Sequence, residues 1–189
     1  MTEQEWLECT DPTAMVEFLY GQSRSSDRKL RLFAVASCRT VWSNFPDDQC
    51  RQTVNAAELF ADGLIEENEL TLKAVGALRA TEGGAWASVA AATAVLSVTV
   101  PILQGSAPYL HDIFGNPFRP ITIDPRWQTS TVVDLANAIY QEKAFERMPI
   151  LADALAEGGC DHEEIIHHCR GNGPHVRGCW VVDLLLGKE

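Results

Sequence analysis

The stretch TSTVVDLANAIYQEKAFERMPILADALAE, residues 129–157, decides the fold class. Its first half places apolar residues at three- and four-residue intervals, which is the spacing of one face of an α-helix. These residues are Val132, Leu135, Ala136, Ile139 and Tyr140. Pro149 suits the start of a second helix, and Gly158-Gly159 ends it. Two consecutive amphipathic helices are therefore predicted over 129–143 and 149–157.

The same helical signals recur on both sides of this stretch. Thr2 with Glu5 forms a capping box, and Asp11 followed by Pro12 is a second helix start. Helical spacing then predicts helices over 28–44, 48–63, 66–80 and 85–100, and Asp161 with Glu164 predicts another capping box. The segment CWVVDLLLG at 179–187 suits a buried strand or a short helix, and we predict a helix. The expected fold is all-α, an irregular bundle of about eight helices.

A proline-rich segment interrupts the helices between residues 101 and 127, where five of the nine prolines lie. Proline disfavours helical geometry in the residue before it, so Asn116, Arg119 and Asp124 are expected to be non-helical. We interpret 1–189 as a single domain, with an N-terminal helical lobe over 1–100, a stiff connector over 101–127 and a C-terminal helical lobe over 128–189.

Charge and composition limit the possible partners and compartments. Twenty-six acidic against fifteen basic residues give a net charge of −11, which opposes binding to nucleic acid. The acidic N-terminus lacks the features of an export signal, so the protein is expected in the cytoplasm with reduced cysteines. The apolar run over 85–100 is about sixteen residues long, shorter than the roughly 20 of a membrane span, so no membrane association is expected.

Cysteine and histidine are concentrated between residues 160 and 179, which hold three of the six cysteines and four of the five histidines. A zinc site there would draw on Cys160, His162, Cys169, His175 and Cys179. The spacing argues against it, because no Cys-x₂₋₄-Cys pair is present and two helical turns separate His162 from Cys169. No motif selects a nucleophilic cysteine either, so no residue is assigned as catalytic and no cofactor is expected.

Two loops are the candidate contact surfaces for a protein partner. The connector presents Phe118, Arg119 and Arg126, and glycines flank His175 and Arg177 in the loop 171–178, which predicts an exposed, sharply turned loop. The alternative is that the connector only packs its aromatic residues on the core and that His175 hydrogen-bonds backbone carbonyl groups to fix its loop.

Five segments together carry a resemblance to a known family: EWLECTDP (5–12), DRKLRLFAVASCR (27–39), AELFADG (57–63), DIFGNPFRP (112–120) and PHVRGCWVVDLLLGKE (174–189). With these motifs the chain resembles a large paralogous family of planctomycete proteins of unknown function. The resemblance implies a bacterial, cytoplasmic protein and favours a module over a stand-alone enzyme. It brings no activity, cofactor or catalytic residue with it.

The leading hypothesis from the sequence is a helical protein-interaction or regulatory module, with an oligomeric state that the sequence does not specify. The alternative is an enzyme or zinc-binding protein that uses the C-terminal Cys/His segment. That alternative predicts a specific geometry, in which His175, one of Cys160, Cys169 or Cys179, and a carboxylate converge within hydrogen-bond or ligand distance.

Overall fold

The computed structural model describes residues 1–22, 26–45, 48–80 and 105–188. Within these ranges the chain is all-α, as predicted, with ten α-helices and no strand. The helices are α1 Glu3–Glu8, α2 Pro12–Gly21, α3 Asp27–Thr40, α4 Asp48–Ala61, α5 Glu67–Ala80, α6 Ala107–Phe114, α7 Ser130–Glu142, α8 Met148–Glu157, α9 Glu163–Arg170 and α10 Trp180–Leu186. Single 3₁₀ turns lie at Trp42–Asn44, Pro125–Trp127 and Phe145–Arg147.

Side-chain caps begin several of these helices, and the cap from Asp11 is one that the sequence predicts. The Asp11 carboxylate accepts a hydrogen bond from the Thr13 N–H at 2.9 Å at the start of α2. The Thr129 hydroxyl accepts one from the Val132 N–H at 3.3 Å at the start of α7. Each bond satisfies a backbone donor that has no partner inside its own helix.

The structure differs from the predicted helix bounds at several places; the helix predicted over 28–44, for example, ends at Thr40. Helix α6 lies inside the segment expected to be a connector. Helix α9 begins with His162 at the N-cap position and without a side-chain capping bond, so the capping box predicted from Asp161 does not form. Residues 116, 119 and 124 are non-helical and 180–186 are helical, as predicted, whereas the alanine-rich helix expected over 85–100 lies outside the described residues.

Two compact units make up the chain. The first comprises Met1 and Cys9–Ala107, in which α4 packs against both α3 and α5. Val54 and Ala57 of α4 are fully buried in its core. At the edge of this core Arg28 pairs with Asp62 at 3.3 Å.

The second unit comprises Thr2–Glu8 with Pro108–Glu189. Here α7 packs against α8 and α10, and α9 packs against α8. Helix α1 belongs to this unit although the sequence analysis places it in the N-terminal lobe. It is held by Trp6, whose side chain is fully buried and donates a hydrogen bond from Nε1 to the Gly115 carbonyl oxygen at 2.9 Å.

None of the helices in the described parts of the chain combines the length and the apolar character needed to cross a membrane.

Candidate metal centre

Four side chains with metal-ligating atoms meet in the second unit. Asp112 lies on α6, His168 on α9, His175 in the loop that follows α9, and Cys179 at the N-cap of α10. One carboxylate oxygen, one nitrogen from each imidazole and the thiol sulfur all lie within 4.8 Å of one another. A carboxylate, two imidazoles and a thiol are the side chains that transition metals bind in proteins.

Asp112 is at the centre of the cluster. Its Oδ1 lies 2.8 Å from His175 Nδ1 and 3.2 Å from His168 Nε2, and its Oδ2 accepts a hydrogen bond from the Val176 N–H at 2.9 Å. Burial raises the pKa of this carboxyl, but hydrogen bonds and favourable charge from His168 and His175 outweigh burial, so the pKa is lowered. A buried carboxylate that stays ionised needs such partners, and both of its oxygens have them.

His168 brings the carboxylate and the thiol together. Its Nε2 lies 3.2 Å from Asp112 Oδ1 and also 3.2 Å from Cys179 Sγ. The ring is held between neighbours, because the centroid of the His175 ring lies 4.8 Å away and that of the Trp180 ring 5.1 Å away. Because the same nitrogen faces both the oxygen and the sulfur, the three atoms surround one position and do not form a chain of hydrogen bonds.

Cys179 supplies the sulfur from a fully buried position. Gly178 just before it has φ 95°, a conformation that favours glycine and that orients the chain into α10. Burial raises the pKa of the Cys179 thiol well above its ordinary value and Asp112 adds to this, while hydrogen bonding from the Val182 and Val181 backbone N–H groups acts in the opposite direction. Without a cation Cys179 is therefore a neutral thiol at neutral pH.

A Cys–His–Asp nucleophilic triad does not account for this arrangement. In such a triad one imidazole nitrogen faces the nucleophile and the other faces the carboxylate. In His168 the same nitrogen, Nε2, faces both Cys179 and Asp112. The buried, protonated sulfur also lacks the thiolate character that a nucleophile requires.

The side chains of His175 and Arg177 turn inward, which corrects the expectation that these two residues are presented at the surface, while residues 171–174 of the same loop are exposed as expected. The side chain of His175 is 8% exposed, and Arg177 is also 8% exposed. His175 bonds a carboxylate rather than backbone carbonyl groups, and the Arg177 guanidinium stacks on the Tyr140 ring at 4.6 Å. The hydrogen bond from the Val176 N–H to Asp112 fixes the loop between these two anchors.

A hollow of about 290 Å³ adjoins the cluster. Asp112, His168 and His175 line it together with His111 and His167, so four of the five histidines surround one space. Pro108 of α6 and three residues of the loop after α9, Gly171, Gly173 and Pro174, also line the hollow. Three of the four clustered side chains therefore border the hollow, while Cys179 is buried.

Comparisons with protein-family models, with curated proteins and with solved structures found no match. What the cluster can do therefore follows from its geometry alone.

The structure brings together two of the five residues that the sequence offers for a zinc site, His175 and Cys179. Cys160 and Cys169 are buried in the apolar core of the second unit instead, and His162 packs edge-on against Trp127 with ring centroids 6.4 Å apart. Burial raises the pKa of Cys169 to about 12.

None of the predicted contact residues of the connector belongs to the cluster. Arg119 is 64% exposed and pairs with Glu3 of α1 at 2.7 Å, while Arg126 is 85% exposed and pairs with Asp124 at 2.6 Å. Phe118 is half-buried.

Sequence reasoning missed two members of the cluster, Asp112 and His168. His168 was readable only as one of a histidine pair at the edge of a helix. Asp112 lies 56 residues before His168, so no local spacing connects them. The one hint of Asp112 in the sequence analysis was the enzyme or zinc-binding hypothesis, which required some carboxylate near His175.

Proposed function

We propose that the C-terminal unit binds one zinc ion through Asp112, His168, His175 and Cys179. The observation that carries this proposal is the convergence of their four ligand atoms within 4.8 Å from four separate points of the chain. It supplies the geometry that the sequence-based alternative requires, namely His175, a cysteine and a carboxylate at ligand distance.

An ion would require the side chains to adjust in both directions. Zinc bonds of about 2.0–2.3 Å in a tetrahedron separate neighbouring ligand atoms by about 3.3–3.6 Å. His168 Nε2 lies 3.2 Å from both Asp112 Oδ1 and Cys179 Sγ, and His175 Nδ1 lies 2.8 Å from Asp112 Oδ1, so these pairs would separate by a few tenths of an ångström. The four ligand atoms lie within 4.8 Å of one another, so the pairs that are farthest apart would approach by up to about 1 Å.

Charge balance also supports a divalent cation. Asp112 is 3% exposed and Cys179 is fully buried, so a thiolate beside a carboxylate would be strongly unfavourable without a positive charge. A divalent ion neutralises both and makes the deprotonated thiol the stable form. The two neutral imidazoles then complete the ligand set without adding charge.

The donor set favours zinc among the common metals. Magnesium and calcium prefer oxygen ligands, whereas a thiolate with imidazoles suits zinc. The subset of Asp112, His168 and His175 resembles the two-histidine, one-carboxylate pattern of non-haem iron, but Cys179 adds a soft ligand that this pattern lacks.

Contacts around the ligands resemble those that orient metal ligands in proteins. The Val176 N–H holds Asp112 Oδ2 at 2.9 Å, which leaves Oδ1 directed at the two imidazoles. The Trp180 ring packs against His168. Outer contacts of this kind fix ligand orientation, and their loss typically costs about 10–100-fold in metal affinity.

Metal analysis and calorimetric titration with zinc test the proposal. Purified protein is expected to contain or take up one zinc per chain, and Cys179→Ser, His168→Gln and Asp112→Asn should each weaken binding by more than about 100-fold. His167→Gln is the matched control, because His167 adjoins His168 on the same helix and lies outside the cluster. Circular dichroism of each variant separates lost affinity from lost folding.

Three results would contradict zinc binding at this cluster: no saturable uptake by the folded wild-type chain, equal affinity in all four variants, or stoichiometric iron in place of zinc.

A protein-interaction role is the second candidate, favoured by the exposure of Arg126 at 85%. Phe118, Arg119 and Arg126 of the connector, with His175 and Arg177, are its predicted contact residues, but the last two are buried and Arg119 already binds Glu3. Arg126→Ala is the cleaner variant, since Arg126 forms its ion pair with Asp124, two residues away in the sequence. Equal recovery of a native partner by wild type and Arg126→Ala would count against this surface.

The cellular setting follows from sequence features alone. The resemblance to the planctomycete family supports a bacterial, cytoplasmic protein. A reducing cytoplasm would keep Cys179 as a thiol that a metal ion can deprotonate.

A further inference from the structure

We infer that the N-terminal helix α1 is coupled to the proposed zinc centre, so that docking of α1 and binding of the ion strengthen each other. Trp6 is the positioning residue of this coupling. The inference rests on the proposed function and goes beyond it, because it gives control over the metal site to a helix that contributes no ligand to the cluster.

Trp6 holds the helix that carries Asp112. Its fully buried side chain donates a hydrogen bond from Nε1 to the Gly115 carbonyl oxygen at 2.9 Å, and its ring packs edge-on against His111 with ring centroids 5.6 Å apart. His111 lies one residue before Asp112, and Gly115 lies three residues after it. The two contacts of Trp6 therefore lie on either side of Asp112 along the chain, and the position of α6 that brings Asp112 to the cluster depends on them.

The contact at Gly115 also reaches His168. Gly115 lies directly against the Trp180 ring, so closely that a Cβ atom added there would be 3.1 Å from Trp180 Cγ. The Trp180 ring packs in turn against the His168 ring, with the centroids 5.1 Å apart. Because closely packed interiors transmit small displacements, a shift of Gly115 on loss of Trp6 moves the support of a second ligand as well.

Glu3 attaches α1 at a second point, near the surface. Its carboxylate accepts a hydrogen bond from Asn116 Nδ2 at 2.7 Å and pairs with Arg119 Nε at 2.7 Å. The Arg119 side chain is mostly exposed, and an ion pair in that position contributes little to stability. The buried Trp6 side chain is therefore the dominant contact between α1 and the segment that carries Asp112.

The length of α1 makes its docking a reversible step. The helix has six residues, too few to persist in water without tertiary contacts, so an undocked α1 is also an unfolded one. An ion that fixes Asp112 and His168 favours the position of α6 to which Trp6 binds, and thereby favours docked α1. Coupling of this kind is reciprocal. The factor by which docking raises zinc affinity equals the factor by which zinc favours docking.

Amide hydrogen exchange of residues 2–8 in the full chain, measured by mass spectrometry with and without zinc, tests the inference. Zinc should slow exchange in α1 by about tenfold, and Trp6→Ala should weaken zinc binding by the same factor, the lower end of the effect of a lost outer contact. Trp6→Phe keeps an aromatic ring beside His111 and removes only the hydrogen bond, so it should weaken zinc binding by about threefold.

Thr129→Ala is the matched control for lost stability. It removes the cap of α7, a helix that carries no member of the cluster, and should leave zinc affinity unchanged. Circular dichroism shows whether each variant folds, and if Trp6→Ala does not, the wild-type exchange rates and Trp6→Phe decide.

The outcomes separate this inference from the proposed function. Equal exchange in α1 with and without bound zinc would overturn the coupling and keep the metal centre. Equal slowing by zinc in Cys179→Ser, which lacks the sulfur ligand, would mean that zinc acts elsewhere on the chain and would also overturn the coupling. So would an equal loss of zinc affinity in Trp6→Phe and Thr129→Ala. A folded chain that takes up no zinc would overturn both proposals.

Discussion

Gly115 provides a sharp test of how the proposed zinc centre is supported. It has φ 61°, and a Cβ atom added there would lie 3.1 Å from Trp180 Cγ and 3.2 Å from Cδ1 and Cδ2. Separations of this size are tighter than ordinary van der Waals contact. Gly115→Ala therefore requires the indole to shift by a few tenths of an ångström within its packed surroundings.

The expected loss of stability has two parts. Left-handed backbone costs alanine about 1–2 kcal/mol, and forcing a packed ring to move costs about 1–3 kcal/mol more. The sum is a loss of about 2–5 kcal/mol in the free energy of unfolding. Because the Trp180 ring packs 5.1 Å from the His168 ring, zinc affinity should fall about tenfold as well.

Gly187→Ala is the matched control in the same unit. Gly187 has φ 62°, and a Cβ there would meet nothing within 4 Å. This variant should lose only the backbone part, about 1–2 kcal/mol, and should keep its zinc affinity.

Urea unfolding of the metal-free proteins, followed by circular dichroism, measures the stability difference, and competition with a chromophoric chelator measures zinc affinity. Equal destabilisation by the two substitutions would refute the packing argument. A destabilised Gly115→Ala protein with unchanged zinc affinity would refute the link through Trp180 to His168.

Two further substitutions test the second unit. Trp6→Phe removes the hydrogen-bond donor to the Gly115 carbonyl and should lower the free energy of unfolding by about 1–3 kcal/mol. An unchanged urea midpoint would contradict the conclusion that this hydrogen bond holds α1 in the second unit. The pKa of the Cys169 thiol is raised to about 12 by burial, so the unfolded thiol ionises first as the pH rises. The effect of this thiol on the free energy of unfolding is therefore constant below pH about 9. Between pH about 9 and 12 the free energy of unfolding falls by about 1.4 kcal/mol per pH unit. Wild type should therefore lose stability faster than Cys169→Ala above pH about 9, and parallel urea-unfolding curves would contradict the assigned burial.

The all-α fold was predictable because its signals are local. Asp11 and Thr129 cap α2 and α7 with their own side chains, and the apolar positions of α7 form one buried face. Helix α6 was missed because prolines dominate its surroundings. Pro108 is only its second residue, where a helix needs no backbone donor, so the proline marks a helix start rather than a connector.

The candidate site was only half predictable. His175 and Cys179 lie four residues apart and were recognisable as metal-ligating types. Asp112 joins them through tertiary packing of α6 on the loop after α9, which no spacing in the sequence records. The glycines around His175 suggested an exposed loop, and residues 171–174 are exposed, but the hydrogen bonds of Asp112 hold the His175 side chain and the Val176 N–H inward.

X-ray absorption at the zinc edge of the zinc-loaded protein tests the central claim most directly, because it counts the ligand atoms by element. Binding by Asp112, His168, His175 and Cys179 predicts one sulfur at about 2.3 Å, with nitrogen and oxygen at about 2.0–2.2 Å. That single sulfur should disappear in Cys179→Ser. A zinc ion surrounded by nitrogen and oxygen only, or by two or more sulfurs, would contradict the assignment.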